Sequence, residues 1–203
     1  MIHLNGNLLC VIDTETTGTV PFYHDVIQFA CLPLNNKLEP HERHIPFEIK
    51  MKPGRPENIE PEALRRNKNN LLDICSNGYE PTVAADLFDD WFERLELPMD
   101  KRIMPLAQNW PFDRPFVMDW LGPENFNHRI DGRFRDTLST ALYLNDAADM
   151  QSEQVPFPKQ QLKYLAACLR IPWEDGAAHD ALYDCLKTAE VYRGMRKMMQ
   201  VIS

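Results

Sequence analysis

Leu8-Leu9-Cys10-Val11-Ile12 is a continuous apolar run ended by polar residues and Gly18. A short apolar run closed by turn residues is the pattern of a strand buried on both faces, so it predicts a central strand. Val26 to Leu32 predicts a second strand. Ile45, Phe47, Ile49 and Met51 then alternate with polar neighbours, as a half-buried strand does, and Pro46 assigns that strand to an edge. The three together predict an antiparallel meander.

Past residue 80 the apolar period becomes helical. Thr82 is placed to cap a helix carrying Val83, Leu87, Phe88, Trp91 and Leu95 on its inner face. Ile103 to Ala107 predicts a short strand, and Phe134-Arg135-Asp136-Thr137 a further strand end feeding a helix with Leu138, Leu142 and Tyr143 turned inward. Leu162, Leu165, Ala166 and Leu169 define one more helix, and Leu182, Cys185, Leu186, Ala189 and Tyr192 the last. Strands first, then alternating strands and helices, predict an α/β fold: a mixed sheet of three antiparallel strands followed by parallel ones, flanked by helices. At 203 residues the chain has the size of one domain, spanning 1–203.

Charge narrows the choice of partners. With 22 basic and 30 acidic residues the net charge is −8, which excludes a protein that coats nucleic acid through bulk positive charge. A phosphate-rich partner must be met by metal ions or by a local patch, for which Lys50/Lys52/Arg55, Arg65/Arg66/Lys68 and Arg129/Arg133/Arg135 are candidates. The five cysteines form no C-x-x-C pair, so a reducing, cytoplasmic setting is expected. Leu8 to Ile12 is too short to span a bilayer, so no membrane partner is expected.

Three acidic segments carry candidate chemistry. In Asp13-Thr14-Glu15-Thr16-Thr17-Gly18, at the end of the first strand, Asp13 and Glu15 are two apart, point to one face and can share a cation. Asn109-Trp110-Pro111-Phe112-Asp113 follows the Ile103 strand, and His179-Asp180-Ala181-Leu182-Tyr183-Asp184 opens the last helix. Each alone also fits a solvated turn or a helix start favoured by the helix dipole; their order and co-occurrence are more specific. On a uniform helix, five residues subtend about 500° and would aim His179 and Asp184 some 140° apart. The two converge only if Asp180 is the N-cap and His179 lies on the small-residue loop Gly176-Ala177-Ala178 before it.

In order and spacing these segments resemble the three motifs of the DnaQ-like, or DEDDh, family of 3′–5′ exonucleases. Ile59-Glu60-Pro61-Glu62-Ala63-Leu64, Asp136-Thr137 and Leu165-Ala166-Ala167-Cys168-Leu169 match further family segments, so the resemblance covers nearly the whole chain. It implies a ribonuclease H-like fold in which Asp13, Glu15, Asp113 and Asp184 hold two divalent ions, Mg²⁺ or Mn²⁺ by the hardness of the oxygen ligands. It also implies that His179 takes the proton from the attacking water. Thr16, Thr17 and Gly18 match the turn whose backbone meets the terminal nucleotide, and Asn109 and Trp110 stand on the substrate side of the second motif. Trp110 is read either as a base-stacking or as a core residue, and Phe22 and Tyr23 likewise as a stacking platform or as buried aromatics. The second motif departs from the family form, having Gln108-Asn109 in place of His-Asn, and Pro115 is expected in the first turn of the helix that follows. The activity implied is a metal-dependent 3′–5′ exonuclease that frees 5′-nucleoside monophosphates from single-stranded DNA or RNA, with a polymerase or a second copy of the chain as protein partner. Two alternatives stay open: a hydrolase of short, modified or cyclic oligonucleotides, and a non-catalytic nucleic-acid-binding module.

Overall fold

The computed structural model describes residues 4–66 and 68–202, with the side chains of 64, 66, 68–70, 72 and 200–202 left out of the description. Among these residues five strands, β1 (Leu8–Thr16), β2 (Val26–Pro33), β3 (Phe47–Lys50), β4 (Ile103–Ala107) and β5 (Arg135–Asp136), join in the order β3-β2-β1-β4-β5. β1–β2 and β2–β3 pair antiparallel, while β1–β4 and β4–β5 pair parallel, as the apolar pattern predicts. Among the described residues eight α-helices accompany the sheet: α1 (Pro61–Arg66), α2 (Lys68–Asn77), α3 (Pro81–Glu93), α4 (Trp110–Leu121), α5 (Pro123–Arg129), α6 (Thr137–Met150), α7 (Leu162–Cys168) and α8 (Ala181–Ile202).

Alternation along β1 divides the core between two helical layers. Cys10 and Ile12 join a cluster with Phe88 and Trp91 of α3 and Phe116 and Val117 of α4. Leu9 and Val11 face the other way, onto Ala181, Cys185 and Ala189 of α8. Those three small residues recur every four positions and let α8 lie close to the sheet, near enough for Cys185 Sγ to donate to Val11 O at 3.6 Å. A third cluster, with Ala141, Leu144, Leu165, Val191 and Met195, ties α6 and α7 to α8.

Several local expectations are corrected. Ile45 lies outside β3 and is 75% exposed, because the strand starts at Phe47, where pairing with Cys31 begins. Thr82 does not cap α3: Pro81 already occupies the first turn, and the cap position falls on Glu80, which makes no side-chain cap bond. On α6 the inner face is Thr137, Ala141, Leu144 and Ala148, while Leu142 and Tyr143 point to solvent. Pro115 sits in the second turn of α4, after Pro111 has taken the start. The candidate cationic patch is largely consumed by carboxylates: Lys52 pairs with Glu80, Arg55 with Asp25 and Asp119, Arg65 with Glu62, Arg129 with Asp89 and Arg133 with Asp131. The side chains of Arg66 and Lys68 lie outside the described residues. No described helix is long and apolar enough to cross a membrane.

Candidate active site

The two helical layers converge at the C-terminal end of β1. On one face Asp13 and Glu15 continue the Leu9-Val11 series toward the start of α8, and on the other Thr14 continues the Cys10-Ile12 series toward the start of α4. Thr14 Oγ1 donates to Asp113 Oδ1 at 2.6 Å, so this buried contact draws the α4 carboxylate to the strand end. A register shift at Glu15/Thr16 pairs Glu15 with Gln28 but Thr16 with Val26, and such bulges re-aim side chains at sheet ends.

Helix starts set the other two acids. Asp180 caps α8, its Oδ1 accepting from Tyr183 N at 3.0 Å, and its other oxygen accepts from Gln28 Nε2 at 3.1 Å. His179 therefore leaves the helix, with φ 66°, and its Nδ1 reaches 3.8 Å from Glu15 Oε1. The convergence that a uniform helix forbids is made by this cap. Asp113 stands in the first turn of α4, whose N-terminus is fixed by Asp136: Oδ2 accepts from Trp110 N at 2.6 Å while Oδ1 accepts from Ser139 N at 2.7 Å, capping α6. One buried carboxylate thus holds two helix starts. Asp113 and Asp184 both profit from the dipole of the helix that carries them.

All of Asp13, Glu15, Asp113, His179 and Asp184 line one cavity of ≈ 160 Å³. Ligand atoms of Glu15, His179 and Asp184 lie within 4.8 Å of one another. The electrostatics are those of buried carboxylates crowded together. Burial, then repulsion from Asp113, Asp184, Glu15 and Asp180, raises Asp13 well above the usual carboxylate range. Burial pushes Asp113 up to about 7 against the Thr14 hydrogen bond, and burial with the Glu15 charge pushes Asp184 up to about 6. Asp184 Oδ1 is buried with no hydrogen-bond partner. Oxygen donors at close quarters, mutual repulsion and an orphaned carboxylate oxygen fit a hard divalent cation.

A stability prediction follows from these directions. In the unfolded chain Asp113 loses its proton near pH 4, whereas the folded chain retains it until about 7. The folded state then holds more protons across that window, so without metal its stability falls as pH rises from 4 to 7. Asp113→Asn keeps the acceptor for Thr14 and removes the titration. The metal-free variant should match wild type near pH 4 and exceed it by roughly 1–3 kcal/mol at pH 8, about 3–10 °C in Tm. Added Mg²⁺ should narrow the gap by stabilising wild type. Thermal melts in chelator across pH decide this; a gap independent of pH would refute it.

The substrate-side residues divide. Thr16 and Gly18 border the cavity, with Thr16 Oγ1 donating to Gly18 O at 2.7 Å. Thr17 is fully buried and already engaged: its N donates to Asp25 O at 2.9 Å and its O accepts from Glu60 N at 2.8 Å. Its backbone N–H and C=O are thus both engaged by other loops of the chain. Trp110 is 1% exposed and stacks on Phe126, so it is a core residue with no ring face to offer a base. Asn109, left-handed at φ 70°, precedes α4 and does not line the cavity. Gln108 does line it, accepting from Thr137 Oγ1 at 2.5 Å and donating to Gln160 O at 2.8 Å. Thr14, Glu60 and Phe112 also face the cavity without having been singled out as site residues. All three lie inside or beside recognised motifs, but neither spacing nor residue type separates them from their neighbours.

Comparison with known proteins agrees with this geometry. The family model RNase_T, described as exonuclease, matches residues 10–192. No curated protein matches the chain in sequence. Among solved structures, exonuclease I from Methylocaldum szegediense is similar with a TM-score of 0.72 at 22% identity, covering 97% of this chain and 42% of that one. A zinc-bound complex of E. coli exonuclease I with single-stranded DNA gives 0.73 at 18% identity, with 97% and 42% covered. Cell-death related nuclease 4 (CRN-4) gives 0.69 at 18% identity, with 95% and 64% covered. At these identities the likeness is one of fold, and the chain spans about two fifths of the length of the exonuclease I chains. The family match over residues 10–192, on a sheet that brings the motif residues to one strand end, shows that the chain belongs to the DnaQ-like exonuclease family with its ribonuclease H-like fold.

Proposed function

We propose that the chain is a 3′–5′ exonuclease acting on single-stranded nucleic acid, DNA or RNA, with two divalent cations, Mg²⁺ or Mn²⁺, held by Asp13, Glu15, Asp113 and Asp184. The observation that carries this reading is the convergence of those four carboxylates and His179 on one cavity. Two of the similar structures are E. coli exonuclease I with single-stranded DNA, which supports an unpaired strand as substrate. Bound cations would supply the positive charge that an acidic chain lacks, polarising the phosphodiester and acidifying water. Asp13, whose charge is repelled by the other three carboxylates, would contribute to holding whichever cations the cluster takes up.

The chain's own groups do the rest. His179 turns Nδ1 toward Glu15, which leaves Nε2 to accept the proton of the attacking water and Glu15 to stabilise the imidazolium. Thr14 and Asp136 keep Asp113 and the start of α4 in place. Gly18 lets the turn after β1 pack closely: a Cβ there would lie 2.6 Å from the His24 ring. All five catalytic candidates come from a single copy of the chain.

Polarity is the direct test. A 5′-labelled single strand should shorten stepwise from its 3′ end, a 3′-blocked strand should resist, and chelator should stop the reaction until Mg²⁺ or Mn²⁺ is restored. Fragments from a circular strand would show endonuclease action and overturn the reading. Binding without turnover in either metal would favour the non-catalytic alternative.

A further inference from the structure

The turn between β1 and β2 presents apolar surface that this mechanism leaves unused. Within four residues, Val20, Phe22 and Tyr23 are 51%, 57% and 53% exposed. The backbone beneath them is held firmly. Tyr23 N and His24 N donate to Val20 O at 3.3 and 2.9 Å, and Val20 N donates to His24 Nδ1 at 2.9 Å. Asn58 Nδ2 donates to Tyr23 O at 2.9 Å, and the Arg55 guanidinium donates to the carbonyls of Phe22 and His24 while Asp25 and Asp119 hold it from behind. Phe22 itself has φ 65°, a left-handed conformation that a bulky side chain adopts only at a cost. The turn thus holds more than half of each aromatic residue out of the core.

The turn starts at the rim of the catalytic cavity, which Gly18 and Thr19 line. The Tyr23 ring meets the His24 ring edge-on, with centroids 4.9 Å apart. His24 in turn packs on Gly18 and lies 3.5 Å from the cavity-lining Glu60. A cavity of ≈ 160 Å³ admits little more than the end of a strand, so the remainder must leave across a rim. With a net charge of −8, and with Lys52, Arg55, Arg65, Arg129 and Arg133 neutralised by carboxylates, phosphate attraction is a weak source of affinity. Aromatic faces bind unpaired bases without regard to charge or sequence.

We propose that Phe22 and Tyr23 form a stacking platform for bases upstream of the terminal nucleotide, which makes single strands longer than a dinucleotide the favoured substrates of the site. This rests on the exonuclease reading above. The test is steady-state kinetics over a length series of oligothymidylates from dinucleotide to 12-mer, for wild type, Phe22→Gly, Tyr23→Ala and Tyr23→Trp. Wild-type KM should fall with length and vary little with salt. Phe22→Gly and Tyr23→Ala should each raise KM for the 12-mer about tenfold and flatten the length dependence, with kcat within about threefold. Tyr23→Trp should restore the length dependence. Glycine suits φ 65°, so Phe22→Gly should melt no lower than wild type, an outcome that a merely structural role for the ring does not allow. Length dependence that survives in both variants, or a drop in the melting temperature of Phe22→Gly, would overturn the platform alone. Unchanged KM with an altered oligomeric state by light scattering would assign the patch to a second copy instead. A wild type that releases nothing from a free 3′ end of any length would remove the exonuclease reading and the platform together.

Discussion

Asp13→Ala should abolish nuclease activity, with a loss of several orders of magnitude in kcat, while the protein remains folded. Asp13 lies on the central strand, with Asp113 from one helical layer, Asp184 from the other and Glu15 beside it on the same face all repelling its charge. On the proposed reading, removing a carboxylate from that position would weaken the hold on every cation the cluster takes up. The same substitution removes a carboxyl held far from its ordinary range, so the metal-free variant should be no less stable than wild type at neutral pH. Circular dichroism melts and calorimetric Mg²⁺ titration, run with the nuclease assay, separate loss of metal from loss of fold. Near-wild-type turnover by a folded Asp13→Ala protein would refute the assignment.

His179→Ala should cost about 10²–10⁴-fold in kcat, the usual contribution of a positioned proton acceptor, with Mg²⁺ affinity and oligonucleotide KM nearly unchanged. His179 stands apart from the carboxylates in kind: it lies on the loop before α8, half-exposed, and is placed by the Asp180 cap and not by packing. A base must be neutral to accept a proton. The wild-type rate at saturating Mg²⁺ should therefore fall on the acid side, and His179→Ala should flatten that limb. The contrary outcome is as clear, because Glu15, His179 and Asp184 lie close enough together to share one ion. If the variant binds Mg²⁺ far more weakly, or keeps its rate with the same acid limb, His179 is a ligand or a bystander and another group activates the water.

Local periodicity was enough to read the strands that carry the site. Leu8 to Ile12 is apolar at every position because β1 is central and covered on both faces, and Ile103 to Ala107 is apolar because β4 is its buried parallel neighbour. The two-residue spacing of Asp13 and Glu15 likewise needs only an extended backbone to put both on one face. These are short-range facts, set by the chain's own repeat.

What the sequence left open turned on contacts between distant segments. The inner face of α6 follows from where α8 and α7 lie, and so it runs through Ala141 and Leu144 and not Leu142. Trp110 is core because Phe126 of α5 folds back onto it, and Thr17 is occupied because Asp25 and Glu60 reach it from two other loops. Spacing alone left the convergence of His179 with Asp184 conditional, since it depends on one side-chain cap by Asp180. Phe22 and Tyr23 were equally consistent with burial until Arg55 and Asn58, more than thirty residues away, fixed the turn that holds them out. Residue types and their order carry the family and its chemistry, because a motif needs little beyond its own few positions. The catalytic cavity, the fixed helix starts and the exposed rings depend on side chains far apart in the chain, whose meeting is decided only when the two helical layers close on the sheet.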